Sequence, residues 1–211
     1  MKITNEDNME LMARYEDNYF ELAIVDPPYG SISDATKTFT SNSKNKATKR
    51  TKYKQFKNVE PPKEYFEELI RVSKHQIIWG VNFYNNFNLS GGRICWDKKG
   101  TAFGRAELAY YSGSKSVNIC EIVWNGMLQH DMKNKEVRIH PTQKPVALYE
   151  WLLHNYAKEG DKILDTHLGS GSIAIACHNM KYDLTACELD KEYYDKAMKR
   201  LKEHTAQQRL F

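Results

Sequence analysis

The architecture turns on residues 162–190, KILDTHLGSGSIAIACHNMKYDLTACELD. Lys162 to Asp165 is a short apolar run closed by an acid, the pattern of a buried strand. Gly169 to Ser172 supplies a glycine-rich turn, and Ser172 to Met180 then carries apolar residues at helical spacing. Asp183 to Glu188 reads as a second strand. Asp190 to His204 follows as a helix with Tyr193, Ala197 and Leu201 on one face. Two parallel strands joined by a crossover helix are the building unit of an α/β sheet.

Working outward, Phe20 to Val25 is a second buried-strand candidate, cut off by Asp26-Pro27-Pro28. Lys63 to Ser73 sets Tyr65, Phe66, Leu69, Ile70 and Val72 on a helical stripe after Pro61-Pro62, and Gln76 to Trp79 reads as the next strand. Three more strands are predicted at Arg93 to Trp96, Leu108 to Tyr111 and Ile119 to Trp124. A helix follows, with Pro145 in its first turn, Val146, Tyr149, Leu153 and Tyr156 on its stripe, and Gly160 closing it. No repeat or linker divides the chain. The expectation is one α/β domain over residues 1–211, with a mostly parallel sheet, helices on both faces and a ligand at the carboxyl ends of the strands.

Composition narrows the function class. The 211 residues are 41% hydrophobic and 27% charged, enough for one core. No apolar run reaches the roughly 18 residues that span a bilayer, and Met1 to Glu10 is polar and acidic where a secretion signal would be basic and then apolar. A soluble, cytoplasmic protein without a membrane partner is expected. Cys95, Cys120, Cys177 and Cys187 are widely spaced, so free thiols are expected rather than a disulfide frame or a metal site.

The formal net charge of +4 is unevenly spread. Residues 31–60 hold Lys37, Lys44, Lys46, Lys49, Arg50, Lys52, Lys54 and Lys57 against Asp34 and Glu60, with almost no aliphatic side chains. Such a window cannot offset its ordering entropy by burial and is expected to be a mobile basic loop that orders on a polyanion.

Three motifs carry the chemistry. The first is the turn Asp165-Thr166-His167-Leu168-Gly169-Ser170-Gly171-Ser172, whose glycines let a ligand approach the backbone at a helix N-terminus, with Glu188 one strand later placed to accept from ribose hydroxyls. Lacking a following Lys, it is no Walker-type phosphate loop. Alone, it fits a nicotinamide dinucleotide and S-adenosylmethionine equally. The second is Asp26-Pro27-Pro28-Tyr29 at a strand end. The lone pair of a nucleobase amino group is delocalised into the ring. The Asp26 carboxylate and the Pro27 carbonyl, accepting its two hydrogens, favour a pyramidal and reactive nitrogen, with Tyr29 stacking on the base. The third is His140-Pro141-Thr142-Gln143-Lys144-Pro145, which leads into a helix.

In this order the motifs resemble the amino-group DNA methyltransferases acting on adenine N6 or cytosine N4, in the permuted arrangement called the β class. The resemblance covers Asp26 to Tyr29 and nearly everything from His140 to Leu201. It implies the Rossmann-like S-adenosylmethionine-dependent methyltransferase fold, with Asp26, Pro27, Pro28 and Tyr29 as the catalytic tetrad. It further implies Asp165, His167, Gly169, Ser170, Gly171 and Glu188 around the cofactor, and His140, Thr142 and Lys144 closing over its methionine end, Lys144 facing the carboxylate. The usual D-P-F turn is replaced here by Asp165-Thr166-His167, and His167 is expected to pack over the cofactor as the Phe does. The family's N4 enzymes more often carry Ser in place of Asp26, which favours adenine N6 as the target, with cytosine N4 as the alternative.

No cysteine follows a proline, so the resemblance does not extend to methylation at cytosine C5. The basic window starts directly after Tyr29, which makes residues 31–60 a DNA-ordering loop in which Lys46, Lys49, Arg50 and Lys52 hold phosphates while the base leaves the duplex. The last five residues, Gln207 to Phe211, resemble the peptide that docks bacterial DNA enzymes on the sliding clamp, through Gln207, Leu210 and Phe211. A homodimer is compatible with this reading. Two rivals stand beside it: a nicotinamide-dependent oxidoreductase, which leaves Asp26 to Tyr29 and His140 to Pro145 without roles, and a DNA-binding protein of the same fold that has lost catalysis.

Overall fold

The computed structural model describes residues 1–30, 54, 58–100, 104–124 and 128–206. Most of the basic window, Lys46, Lys49, Arg50 and Lys52 included, and the docking-peptide residues 207–211 lie outside these. The elements in chain order are β1 (Lys2–Thr4), α1 (Asn8–Met12), β2 (Phe20–Val25), α2 (Lys63–Val72), β3 (Ser73–Trp79), β4 (Gly92–Asp97), β5 (Ala106–Tyr111), β6 (Val117–Glu121), α3 (Val146–Tyr156), β7 (Lys162–Asp165), α4 (Ser172–Met180), β8 (Asp183–Cys187) and α5 (Lys191–Ala206).

All eight strands form one sheet in the order β1-β8-β7-β2-β3-β5-β4-β6. From β1 to β3 every neighbour is parallel, while β5 runs antiparallel to both β3 and β4. The pleat divides the core. Leu22, Ile24, Ile77, Trp79, Ile163 and Leu184 face α3, α4 and α5, and Ala23, Val25, Ile78 and Leu164 face α1 and α2. Each of the Leu, Ile and Val side chains among them, fully withdrawn from water, contributes roughly 1.5–3 kcal/mol before the entropy of ordering it.

Chain polarity positions the site. From β2 the chain crosses through α2 to β3 on one side, and from β7 through α4 to β8 on the other, so the connections diverge between the paired strands β2 and β7. A crevice opens outside the carboxyl ends at such a point. Asp26 follows β2 and Thr166 follows β7, one on each bank. The antiparallel β5 brings its start, Ala106 and Glu107, to this same edge of the sheet, because Trp79 at the end of β3 pairs with Ala109.

Several boundaries differ from the sequence expectation. Pro145 is the cap before α3 rather than a residue of its first turn. The helix ends at Tyr156, where Ala157 turns extended, so Gly160 (φ +87°) shapes the turn into β7 and not the helix end. β6 stops at Glu121, and Trp124 makes only an isolated bridge to Gln129. The polar start of the chain is structured: β1 adds to β8, and Asp7 caps α1 by accepting from the Met9 amide at 2.8 Å.

Gly80 ends β3 with φ +77°, and a Cβ there would lie 2.2 Å from Tyr29 Cε1. The Tyr29 ring therefore rests on bare backbone. Gly80→Ala adds both a left-handed alanine and a clash with this ring, and should lower stability by roughly 1–3 kcal/mol. Urea denaturation checks this, and an unchanged midpoint would mean that the ring does not pack there.

Candidate active site

A cavity of about 490 Å³ opens between the two banks, lined by side chains from both ends of the chain. Asp26, Pro27, Pro28, Tyr29, His140, Thr142, Lys144, His167, Gly169, Ser170 and Glu188 all line it. Asp165 and Gly171 stand behind the wall. Asp165 is 2% exposed and accepts from the His167 amide at 2.9 Å, which shapes the turn, and burial pushes its carboxyl up to about 8. Gly169 and Gly171 have φ of +54° and +72°. A Cβ on Gly171 would also press on Ala197 of α5 at 3.2 Å.

The end of β2 is held from every side. The Tyr29 hydroxyl donates to Asp26 Oδ1 at 2.5 Å, and the Tyr29 ring stacks on Phe83 with centroids 4.9 Å apart. The Tyr84 hydroxyl, buried, reaches the Pro27 carbonyl at 3.0 Å and the Trp79 carbonyl at 2.8 Å. A carbonyl has two lone pairs, so the Pro27 oxygen keeps one for another donor. Asn58 clamps the loop mouth: its Oδ1 accepts from the Tyr29 amide at 3.0 Å and its Nδ2 donates to the Gly30 carbonyl at 2.5 Å.

Lys144 lines the same cavity and is already paired there. Its ammonium, 4% exposed, sits 2.5 Å from Asp26 Oδ2 and 3.2 Å from Glu107 Oε2, and 3.2 Å from the Tyr29 hydroxyl. An ammonium cannot stay charged in so dry a place without carboxylates, and these two lie within reach. Burial opposes its charge, and Asp26 and Glu107 together hold its pKa above the ordinary lysine value.

On the opposite bank, Glu188 accepts from the Gly169 amide at 2.8 Å and the Asp190 amide at 2.9 Å. Burial raises its pKa despite these donors. His167 meets the Asn8 amide nitrogen through Nε2 at 3.2 Å and Thr166 Oγ1 through Nδ1 at 3.0 Å. With the amide donating, Nε2 is an acceptor and the ring proton sits on Nδ1. His140 packs edge-on to Tyr193 with centroids 4.3 Å apart. Lys54, at the returning end of the basic window, pairs with Asp190 at 2.6 Å and accepts at its carbonyl from the Tyr193 hydroxyl at 2.6 Å.

Several lining residues escaped the sequence reading. Glu6, Asp7 and Asn8 come from the chain start, whose Asp7-Asn8-Met9-Glu10 pattern is an N-cap signal followed by apolar Leu11 and Met12. Tyr149 and Tyr193 lay on predicted helical stripes as core residues. Glu107 gave no signal, since a single acid at a strand start is ordinary.

Both cavity imidazoles are depressed to about 4 from the usual 6.5, chiefly by burial. The unfolded chain thus binds more protons between these values. Their stabilising contribution is complete above about 6.5 and is lost as pH falls toward 4. Asp165 acts with the opposite sign over 3.8 to about 8. The double variant His140→Asn, His167→Asn should therefore lose less stability than the wild type between pH 6.5 and 4. Parallel urea curves for the two proteins would contradict the burial of these rings.

The N6/N4 DNA methylase family model matches residues 96–199. Among curated relatives, the type II methyltransferase M.HpaI of Haemophilus parainfluenzae is 40% identical over 68 residues, 32% of this chain and 22% of that protein. M2.DpnII of Streptococcus pneumoniae is 38% identical over 79 residues, 37% of this chain and 29% of that protein. The matched region thus spans less than a third of either relative. The fold is that of the M1.HpyAVI–SAM complex (TM-score 0.55, 19% identity, 94% of this chain and 98% of that chain). It is also that of the cytosine-N4-specific PvuII DNA methyltransferase (TM-score 0.59, 14% identity, 96% and 89%). With the motifs on one cavity and the family model over residues 96–199, just under half of the chain, the protein is similar to the amino-group DNA methyltransferases in that stretch and in its fold.

Proposed function

We propose that the protein transfers a methyl group from S-adenosylmethionine to the N6 amino group of adenine in DNA. The observation that carries this reading is the charge of the cavity. Among the described residues, Glu6, Asp7, Asp26, Glu188 and Asp190 line it, against the ammonium of Lys144 and two imidazoles depressed by burial to about 4. Two of these acids have cations outside the lining, Glu6 with Arg14 and Asp190 with Lys54. The balance still favours a cationic ligand. A sulfonium with an amino group fits it, whereas the pyrophosphate of a nicotinamide dinucleotide would meet like charge.

Glu188, with a lone pair left on each oxygen, is suited to ribose hydroxyls, and the glycine turn with His167 to the rest of the nucleoside. The cofactor supplies an electrophilic methyl carbon, whose bonding pair leaves with sulfur as the new N–C bond forms. Asp26 and the Pro27 carbonyl would accept hydrogen bonds from the two amino hydrogens and stabilise the positive charge growing on nitrogen, and the proton that the methylated nitrogen then sheds would pass by way of Asp26 to solvent. The protein's part is orientation, since no covalent enzyme intermediate is needed. Asp at position 26 supports adenine N6, while the likeness to an N4-specific enzyme keeps cytosine N4 as the second reading.

DNA would approach over the mouth clamped by Asn58. Residues 31–60 leave and return there, and Lys46, Lys49, Arg50 and Lys52 of that segment are proposed to hold phosphates. Docking of Gln207, Leu210 and Phe211 on a sliding clamp remains a proposal from the sequence.

Calorimetry should detect S-adenosylmethionine binding and no NADH binding. Glu188→Ala should weaken that binding about 10- to 100-fold, the worth of a charge-assisted hydrogen bond. Digestion of DNA treated with the wild-type protein should yield N6-methyladenine. N4-methylcytosine alone would change the substrate and keep the chemistry, and NADH binding in place of S-adenosylmethionine would overturn the reading.

A further inference from the structure

Glu107 lies outside the cavity lining and belongs to none of the three motifs, yet it is built into the charge cluster beneath them. It begins the exposed end of β5 and is brought to the carboxyl edge of the sheet because β5 is antiparallel. Its carboxylate takes two ammonium groups, Lys144 at 3.2 Å and Lys98 in a close pair. Lys98 follows β4, donates its amide to the Arg105 carbonyl at 3.0 Å, and lies over the Trp96 ring at 4.7 Å. Burial works against the charge of Glu107, but Lys144 and Lys98 bring its pKa down to about 2.

Lys98, Lys144, Asp26 and Glu107 form a cluster with two charges of each sign. Within it, Asp26 spends Oδ2 on Lys144 and Oδ1 on Tyr29, which leaves each oxygen one lone-pair direction for a base amino group. The ammonium of Lys144 is a competitor for those directions. What keeps it from taking both Asp26 oxygens is its second carboxylate.

We infer that Glu107 is a positioning residue for methyl transfer: by sharing the Lys144 ammonium it keeps the Asp26 carboxylate available to the target amino group. This rests on the methyl-transfer reading above. The groups facing the Lys144 ammonium are Asp26 and Tyr29 from the end of β2, Glu107 from β5 and the Trp79 ring from β3, with Asp165 and His140 acting at longer range. Removing the Glu107 charge leaves Lys144 one carboxylate, draws it onto Asp26, and removes one of the two charges that keep it protonated.

Glu107→Gln preserves shape and should lower kcat about tenfold or more, with KM for S-adenosylmethionine changed less than about twofold. The titration of Lys144 should move to lower pH, since its ammonium loses one of its two carboxylates. Glu107→Asp should restore part of the rate. The Lys144 Cε resonance in the lysine-labelled protein reports the same titration without turnover, so it decides the inference even if the wild type transfers no methyl group. An unchanged kcat in Glu107→Gln would overturn it, as would a Lys144 titration left in place, or a loss of rate matched by a loss of cofactor affinity.

Discussion

Parallel strands end at the same edge of their sheet, and this shared polarity of β8, β7, β2 and β3 is the constraint on which the site depends. It carries Glu188, the glycine turn, Asp26 and Gly80 to one line although they are far apart in the chain. The divergence of connections between β2 and β7 opens the crevice between them, while α3, α4 and α5 cover one face of the sheet and α1 and α2 the other. The antiparallel β5 then adds what a purely parallel sheet could not, a strand start at the carboxyl edge, and with it Glu107.

The electrostatics follow from this placement. One bank of the crevice, around Glu188 and Asp190, is acidic with backbone amides satisfying part of its charge. The other holds a dry, balanced cluster in which Asp26 is paired before any ligand arrives. A buried ion pair of this kind is weak evidence for stability, because desolvation offsets much of the attraction. Its value here lies in fixing which carboxylate oxygen points where, at a position where the proposed chemistry needs an acceptor. Tyr84, Gly80 and Asn58 fix the backbone of the same four residues through the Pro27 carbonyl, the Tyr29 ring and the Tyr29 amide.

Much of this was legible in the sequence, for identifiable reasons. Phe20–Val25 is apolar but for Glu21, Ser73–Trp79 ends on Ile77, Ile78 and Trp79, and Lys162–Asp165 is apolar at its centre, as strands covered on both faces require, and Gly169 and Gly171 mark their own turn. The motifs at 26–29 and 140–145 sit on the same cavity. The rest depends on contacts between residues distant in the chain. Lys144 stands in a motif that suggested an anionic ligand, but which anion it meets is decided by β2 and β5 arriving beside it. The three-residue β1 carries no periodicity and exists because β8 offers a free edge. Glu107 is one acid among 27 acidic residues until the sheet order places it under Lys144.

In the proposed chemistry Asp26 acts on the base and not on the methyl donor. Single-turnover transfer of labelled methyl from S-adenosylmethionine to duplex DNA, measured for the wild type and Asp26→Ala with cofactor affinity determined on the same samples, tests it most directly. The variant should bind the cofactor within a few-fold of the wild type and transfer essentially no label. Transfer at the wild-type rate, or a loss of transfer explained by a loss of cofactor binding, would contradict it.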